Sequence, residues 1–436
     1  MKKLSFLLAM VFAVTFAMAQ NTSTVNQSGT SNSAATTQTG DLNTATVDQA
    51  GTLNFVTVTS TGDNNLATGV QNGTQNGDAS RPDLGYIKQI GNSNIAHLNE
   101  GVIGGATSNY ADGFIDQTGD GNYAELNITG QYHNGIDHGI TQIQLGVEMP
   151  GNQAFITEAY FNNDMDVYQR GSDNLVTGII NGENNQFFVD QDGTNNTAWV
   201  NQLGDSNGEW GYYWGWHLSD RNWNVLSQNG TENTGKVDQQ GDFNKFKMVQ
   251  EGDYNVAQVL QLGASVLDAY QFGAGNLIAG IAACVIQDWA TLNYGASLTV
   301  DQIGDNNKLY VNLNGSMTVT QTSSTEAFGN IIKYEQTGAG ATATMSQTGD
   351  ENVVSLLHGG SGDADIYQNG TGNMVGSIDL SSGEFNDPCC GHFNGATLDV
   401  DQVGSYNLLH LDSNGLSDVV TVNQNGTSNL ASVIQN

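Results

Sequence analysis

Positive charge is nearly missing from this 436-residue chain: 11 Lys+Arg stand against 44 Asp+Glu, for a formal net charge of -33 at pH 7. Nucleic acid is thereby excluded as a partner, because phosphate backbones are recruited by clustered cations and the basic residues here form no patch. Anionic membrane surfaces are disfavoured for the same reason. Charged residues of both signs reach only 13%, about half the 25% of an ordinary soluble domain. Cysteine is also scarce. Cys284, Cys389 and Cys390 are too few for a disulfide scaffold, and their odd number leaves at least one thiol free. The run Cys389-Cys390-Gly391-His392 has metal-binding residue types, but no second ligand pair stands at a usual zinc spacing. Long apolar runs are missing too: beyond the N-terminus the longest, Leu277 to Ile286, stops at ten residues, against about 18 for a membrane-spanning helix. No membrane insertion is expected.

Catalytic signatures are equally scarce. The seven histidines are scattered, and no nucleophile elbow, phosphate-binding loop or His-Glu-x-x-His run occurs. Asp164 and Asp166 alternate as an acid pair would, but one pair among 44 acids is a weak signal. The chain is therefore read as a non-enzyme with no cofactor and no metal.

What is present begins with an address. Lys2 and Lys3 precede an apolar stretch from Leu4 to Phe16 and then Ala17-Met18-Ala19, the layout of a secretory signal peptide over residues 1–19. Cleavage is expected before Gln20, and the mature chain, residues 20–436, should be soluble outside the cytoplasm. Abundant glycine (55 residues) and visible Asn, Gln, Thr and Ser suit disorder, yet 38% hydrophobic content suffices for a core if correctly spaced.

The spacing is regular. Gln-x-Gly-x-x-Asn occurs at Gln27-Gly29-Asn32, Gln38-Gly40-Asn43 and Gln49-Gly51-Asn54, each eleven residues after the last, and 18 intact copies reach Gln424-Gly426-Asn429. Between hexapeptides the residues alternate, as in Asn196-Thr197-Ala198-Trp199-Val200-Asn201-Gln202. Asn, Ala, Val and Gln share one parity, which a strand places on one face and a helix would scatter. The glycine with its two following residues supplies the backbone for a reversal.

Each eleven-mer is thus a strand and a turn, and two make a coil of about 22 residues. The expected fold is all-β: a two-sheet β-solenoid interrupted by loop insertions. Interior Gln and Asn would each cost on the order of 1–3 kcal/mol if unpaired. Stacked in identical coils, each amide donates to one neighbour and accepts from the other, forming ladders. Edges of such a stack are templates for another identical chain.

The hexapeptide, its Ala two residues beyond Asn and the next Gln at plus eleven (Gln191-x-Gly193-x-x-Asn196-x-Ala198, then Gln202) resemble the curlin repeat of bacterial curli subunits. That resemblance implies a secreted functional amyloid at the surface of a Gram-negative cell, polymerising with itself from a curli-like nucleator after export through an outer-membrane secretion pore. It implies roles in cell adhesion and biofilm matrix. On the family pattern the ladder and assembly residues include Gln27, Asn32, Gln38, Asn43, Gln49, Asn54, Gln191, Asn196, Gln202, Gln239, Asn244, Gln250, Asn255, Gln424 and Asn429.

Glutamine-to-glutamine jumps of 52 (from Gln117), 26 (from Gln202), 45 (from Gln302) and 34 (from Gln368) mark expected insertions near 118–168, 208–227, 308–335 and 374–400. The second of these holds Trp210, Trp214 and Trp216, a candidate platform for surface glycans, or else a loop folding over the sheet edge. An alternative function follows: a monomeric β-solenoid adhesin binding glycans through its aromatic insertions. Acidic turns such as Gly40-Asp41, Gly62-Asp63 and Gly241-Asp242 suggest aligned carboxylates, read as solvation and protection from premature pairing rather than a calcium row.

Overall fold

A repeat of 22 residues dictates which strands can be neighbours, since residues n and n+22 hold the same place in the alternating pattern. The computed structural model has this pairing. It describes residues 20–435 except 78–84, 102–107, 110, 130–137, 145–149, 161–162, 209–223, 283–284, 288–289, 293–295, 314, 325–327, 337–341, 359–362, 377–391, 394–396 and 414–418. The described residues contain strands, turns and bends but no helix.

The chain divides into two compact units, Met1–Ala154 and Phe155–Asn436. In the first, one parallel sheet holds Thr22–Thr30, Thr44–Thr52, Leu66–Thr74, Ile95–Glu100 and Tyr123–Thr129, with Gln27, Gln49, Gln71 and Glu100 in register. The facing sheet holds Ser33–Thr39, Phe55–Thr61, Tyr86–Ile90, Gly113–Thr118 and His138–Gln144. Along the chain these ten strands alternate between the two sheets. The second unit repeats the plan. Asp164–Ser172, Gln186–Thr194, Val225–Thr231, Lys245–Glu251 and Val266–Phe272 pair in order in one sheet. Leu175–Asn181, Thr197–Leu203, Thr234–Gln240 and Val256–Leu262 pair in order in the other. Each unit is thus a two-sheet β-solenoid, the fold class expected from the repeat.

Two of the intervals expected to hold insertions carry strands of the stack. The interval 118–168 carries Tyr123–Thr129, paired in register on Ile95–Glu100, and His138–Gln144, paired on Gly113–Thr118. Likewise 308–335 carries Lys308–Leu313, Ser316–Thr322 and Ile331–Gln336, all in register with their neighbours. Coils persist there because the inward alternation survives where the hexapeptide does not. In the remaining two intervals, 209–223 and 377–391 lie outside the described residues, and Trp210, Trp214, Trp216, Cys284, Cys389 and Cys390 lie there or in 283–284. Pairing continues across the first gap: Gln191 meets Gln228 and Gln202 meets Gln239, at separations of 37 rather than 22.

The core lies between the sheets. Asn43, Ala45, Val47 and Gln49 are at most 2% exposed while the intervening Thr44, Thr46 and Asp48 are half-buried on the outer face. Glycine inside a strand compensates a larger facing residue: a Cβ on Gly178 would lie 2.5 Å from Phe187 Cζ. Turn glycines answer a different demand. Gly51 has φ 115 and sits so close to the next coil that a Cβ would come within 1.9 Å of the Gly73 carbonyl oxygen. Two residues on, Leu53 is left-handed at φ 59, as are Leu42, Phe243, Tyr254 and Tyr406 at equivalent turns. Bulky residues rarely adopt that backbone.

Gly51→Ala should therefore destabilise the chain by roughly 2–4 kcal/mol, whereas Gly69→Ala, whose nearest neighbour would be Val56 Cγ2 at 3.5 Å, should change stability by about 1 kcal/mol or less. Denaturant unfolding followed by circular dichroism separates the two; equal effects would contradict the close-stacking account.

Candidate functional site

Inward glutamines at one height of a parallel stack have neighbours of the same kind above and below, so each amide can act as donor and acceptor along the axis. In the second unit this stack is unbroken through Gln169, Gln191, Gln228, Gln250, Gln271, Gln302, Gln321, Gln347, Gln368, Gln402 and Gln424. Each Nε2 donates to Oε1 of the next at 2.7–2.9 Å. The second N–H crosses the core: Gln191 donates to Leu175 O at 3.2 Å and Gln250 to Thr234 O at 3.1 Å, both on the facing sheet. One side chain thus joins coil to coil and sheet to sheet.

The facing sheet is less regular. Ile180 precedes Gln202 in register, and Gln202 Oε1 is buried without a hydrogen-bond partner before the stack resumes through Gln239 and Gln261. In the first unit Gln27 donates to Gln49 and Gln49 to Gln71, both at 2.7 Å. Gln71 then donates to the Glu100 carboxylate at 2.7 Å. Gln38 meets Ser60 instead of glutamine and bonds only to Thr22 O, while Ser60 Oγ donates to Gln89 Oε1 at 3.0 Å.

Asparagines close the turns. Asn255 N and Nδ2 both donate to Asn233 Oδ1, at 3.0 and 3.1 Å, and Asn255 Nδ2 also reaches Gly273 O at 2.8 Å in the following coil. The paired bonds to the preceding Oδ1 recur at Asn196 and Asn244, with Asn174 and Asn207 as acceptors. Towards the two ends Asn32 accepts from Asn54 N, Asn43 donates to Gly62 O, and Asn429 donates to Asn407 Oδ1. These residues lie at equivalent heights of successive coils, with Gln38 facing Ser60 rather than another amide.

Sequence reasoning missed Gln142 and Gln321, which lack the full hexapeptide, and Ser265, whose N and Oγ both bond to Asn244 Oδ1, whereas Gln261, which also lacks it, is read inward from its alternation. The strand alternation leading into each, such as Val256-Ala257-Gln258-Val259-Leu260-Gln261, was the usable signal. It also missed a role for the turn acids. Asp63 Oδ1 accepts from Asp41 N at 2.7 Å, Asp242 from Asp205 N at 2.8 Å, and Asp305 from Ala274 N at 2.8 Å. These carboxylates fasten each turn to its neighbour. Among the described residues no group of three or more His, Cys, Asp or Glu is arranged to hold a metal ion. Asp164 and Asp166 lie on the outer face of one strand, where Gln186 Nε2 donates to Asp164.

One depression of about 290 Å³ lies on an outer face of the second unit, lined by Tyr168, Arg170, Asp190, Asp192 and Ser227 among others. Burial raises the Asp190 carboxyl above its usual range, and Arg170, which pairs with Asp192, pulls it back. The residues are polar and shallowly placed, without a nucleophile and base in contact.

Among protein families, the curlin associated repeat matches residues 19–51, 29–62 and 162–193. The matches fall in two stretches, 19–62 and 162–193, which are similar to that repeat. No curated protein matches the chain.

Replacing Gln250 by Leu removes the partner of both Gln228 Nε2 and Gln271 Oε1 and should cost about 2–4 kcal/mol, since each stranded polar group costs roughly 1–3 kcal/mol. Gln27→Leu, in the fully exposed first strand, should cost less than about 1 kcal/mol. Thermal denaturation of both variants checks the ranking, and a Gln250→Leu chain as stable as the parent would remove the ladder from the account of stability.

Proposed function

We propose that this curlin-repeat chain is a secreted structural subunit that adds end to end to copies of itself, forming extracellular fibres for adhesion and biofilm matrix on a Gram-negative cell. Export through an outer-membrane pore and initiation on a nucleator accompany that reading. The observation that carries it is the chemistry of the two outermost described coils. In the first, Val25 is 43% exposed where its counterpart Val47 is 0% exposed, and Gln27 Oε1 has no donor. In the last, Val422 and Val433 are half-buried where their counterparts Val400 and Leu411 are 0% exposed, and Gln424 Nε2 donates only to Leu408 O. The first coil offers a glutamine acceptor in one sheet and the last a glutamine donor in the other sheet.

The two edges also match in sequence. Thr24-Val25-Asn26-Gln27 and Gly29-Thr30-Ser31-Asn32 recur as Thr421-Val422-Asn423-Gln424 and Gly426-Thr427-Ser428-Asn429. A second copy set on the last coil would meet the partner that each internal coil already meets. The repulsion between chains of net charge -33 opposes this approach and is screened by salt. The competing glycan-adhesin reading rests on Trp210, Trp214 and Trp216, outside the described residues, and no observation favours it.

Purified mature protein should form thioflavin-positive fibres with a 4.7–4.8 Å meridional reflection, several-fold faster in about 0.5 M than in about 0.02 M sodium chloride. Protein that stays monomeric under the electron microscope in both conditions, with no such reflection, defeats the proposal.

A further inference from the structure

One rung of the glutamine stack in the first unit is a carboxylate. Glu100 pairs in register between Gln71 and Ile128, is 0% exposed, and uses both its oxygens. Oε2 accepts from Gln71 Nε2 at 2.7 Å and Oε1 accepts from Gly113 N, on the facing sheet, at 3.0 Å. Glutamine could not replace it in kind, because its amide has one acceptor and would turn a donor towards the Gly113 N–H. The position therefore demands two acceptors, and only a carboxyl group supplies them in that shape.

The demand brings an ionisable group into the core, and among the described residues its two bonded partners are an amide and a backbone N–H rather than a lysine or arginine. Gln71 and Ile128, which flank it in its own sheet, are uncharged. From the facing sheet come Asp112, 8% exposed beside Gly113, and His138, 0% exposed on the strand that pairs with Gly113. Asp112 disfavours ionised Glu100 and His138 favours it. The Lys88–Asp116 ion pair lies on the outer face, with side chains 43% and 23% exposed.

We propose that Glu100 is a proton-operated latch: protonated, it completes the stack and ties the two sheets of the first unit, and ionised, it loosens them. Burial agrees in direction, raising the carboxyl from 4.5 to about 8 against the pull of the bonds from Gln71 and Gly113. Because the folded form holds this proton more tightly than the unfolded chain, the stabilisation is complete below pH 4.5 and is lost as pH rises through about 8. Folding of the first unit near neutral pH consequently takes up a proton. Acid would promote assembly by closing this unit, separately from any effect on surface charge. That last consequence rests on the proposed fibre function; the latch does not, and its test uses soluble monomer.

The experiment follows hydrogen exchange of the mature chain in peptides covering residues 86–129, corrected for intrinsic rates, from pH 5 to 9 at low and high salt, for the parent and Glu100→Gln. The parent's opening constant should rise on the order of 10²–10³-fold between pH 5 and 8, with little change on adding salt. The variant should be less protected than the parent at pH 5, where Gly113 N–H has lost its acceptor, but nearly flat with pH, so that the two curves cross. Parallel slopes for parent and variant, or a parent slope abolished by salt, overturn the latch. Should the variant fail to fold, calorimetric refolding of the parent in two buffers of different ionisation heat decides the matter. An uptake near one proton per chain at pH 6.5, localised by loss of protection in 86–129 on raising the pH, supports the latch, and no uptake refutes it.

Discussion

A primary amide that donates to the coil on one side and accepts from the coil on the other is the interaction on which the remaining structure depends. It is satisfied only when the same residue recurs at the same height in successive coils, so it selects parallel, in-register strands over any slipped or antiparallel pairing. A slip of one residue would turn Val47 and Gln49 outward together and leave Gln27 and Gln71 without partners. Net gains of about 1 kcal/mol per hydrogen bond are modest. Their accumulation along eleven consecutive glutamines of the second unit, and the cost of breaking any one of them, fixes the register far more firmly than the narrow apolar core could alone.

That dependence explains what could be read from sequence. Period 22, inward parity and the identity of the ladder residues follow from local words, since Gln-x-Gly-x-x-Asn contains the last inward position, the turn glycine and the first inward position of the next strand. Coils through 118–168 and 308–335 were not legible by that word. A coil needs the inward set more than it needs the turn. His138–Gln144 keeps Ile140 and Gln142 inward without a following Gly-x-x-Asn, and Ser316–Thr322 keeps Met317, Val319 and Gln321. Bonds between coils, such as Asp242 to Asp205 N across 37 residues, lie beyond any local reading.

The acidic excess then divides into distinct physical roles. Turn aspartates such as Asp63 and Asp305 are acceptors for backbone N–H groups that the tight reversal would otherwise leave to water, so their charge stays solvated while one oxygen works. Glu100 is the opposite case: both oxygens work and neither is solvated. Low overall charge with few cations is compatible with this arrangement because backbone and amide donors, rather than Lys or Arg, satisfy the carboxylates. Where a cation does serve, as at Lys88–Asp116, it sits on the outer face.

The ladders also have a direction. Every stacked glutamine donates towards the higher-numbered coil, whereas asparagine divides its amide, donating back to the preceding Asn Oδ1 and forward to the following glycine carbonyl. Asparagine is thus a clamp that works both ways, and glutamine an arrow. A stack of such coils ends in a glutamine acceptor on one face and a glutamine donor on the other; Gln27 is such an acceptor in the first unit and Gln424 such a donor in the second. Two like faces brought together would oppose oxygen to oxygen or N–H to N–H, leaving buried groups unpaired at roughly 1–3 kcal/mol each. Unlike faces repeat the internal junction. A contact of that kind is heterologous and translates along the stack rather than closing on itself, which is the geometry of an open filament and not of a ring or a two-fold dimer.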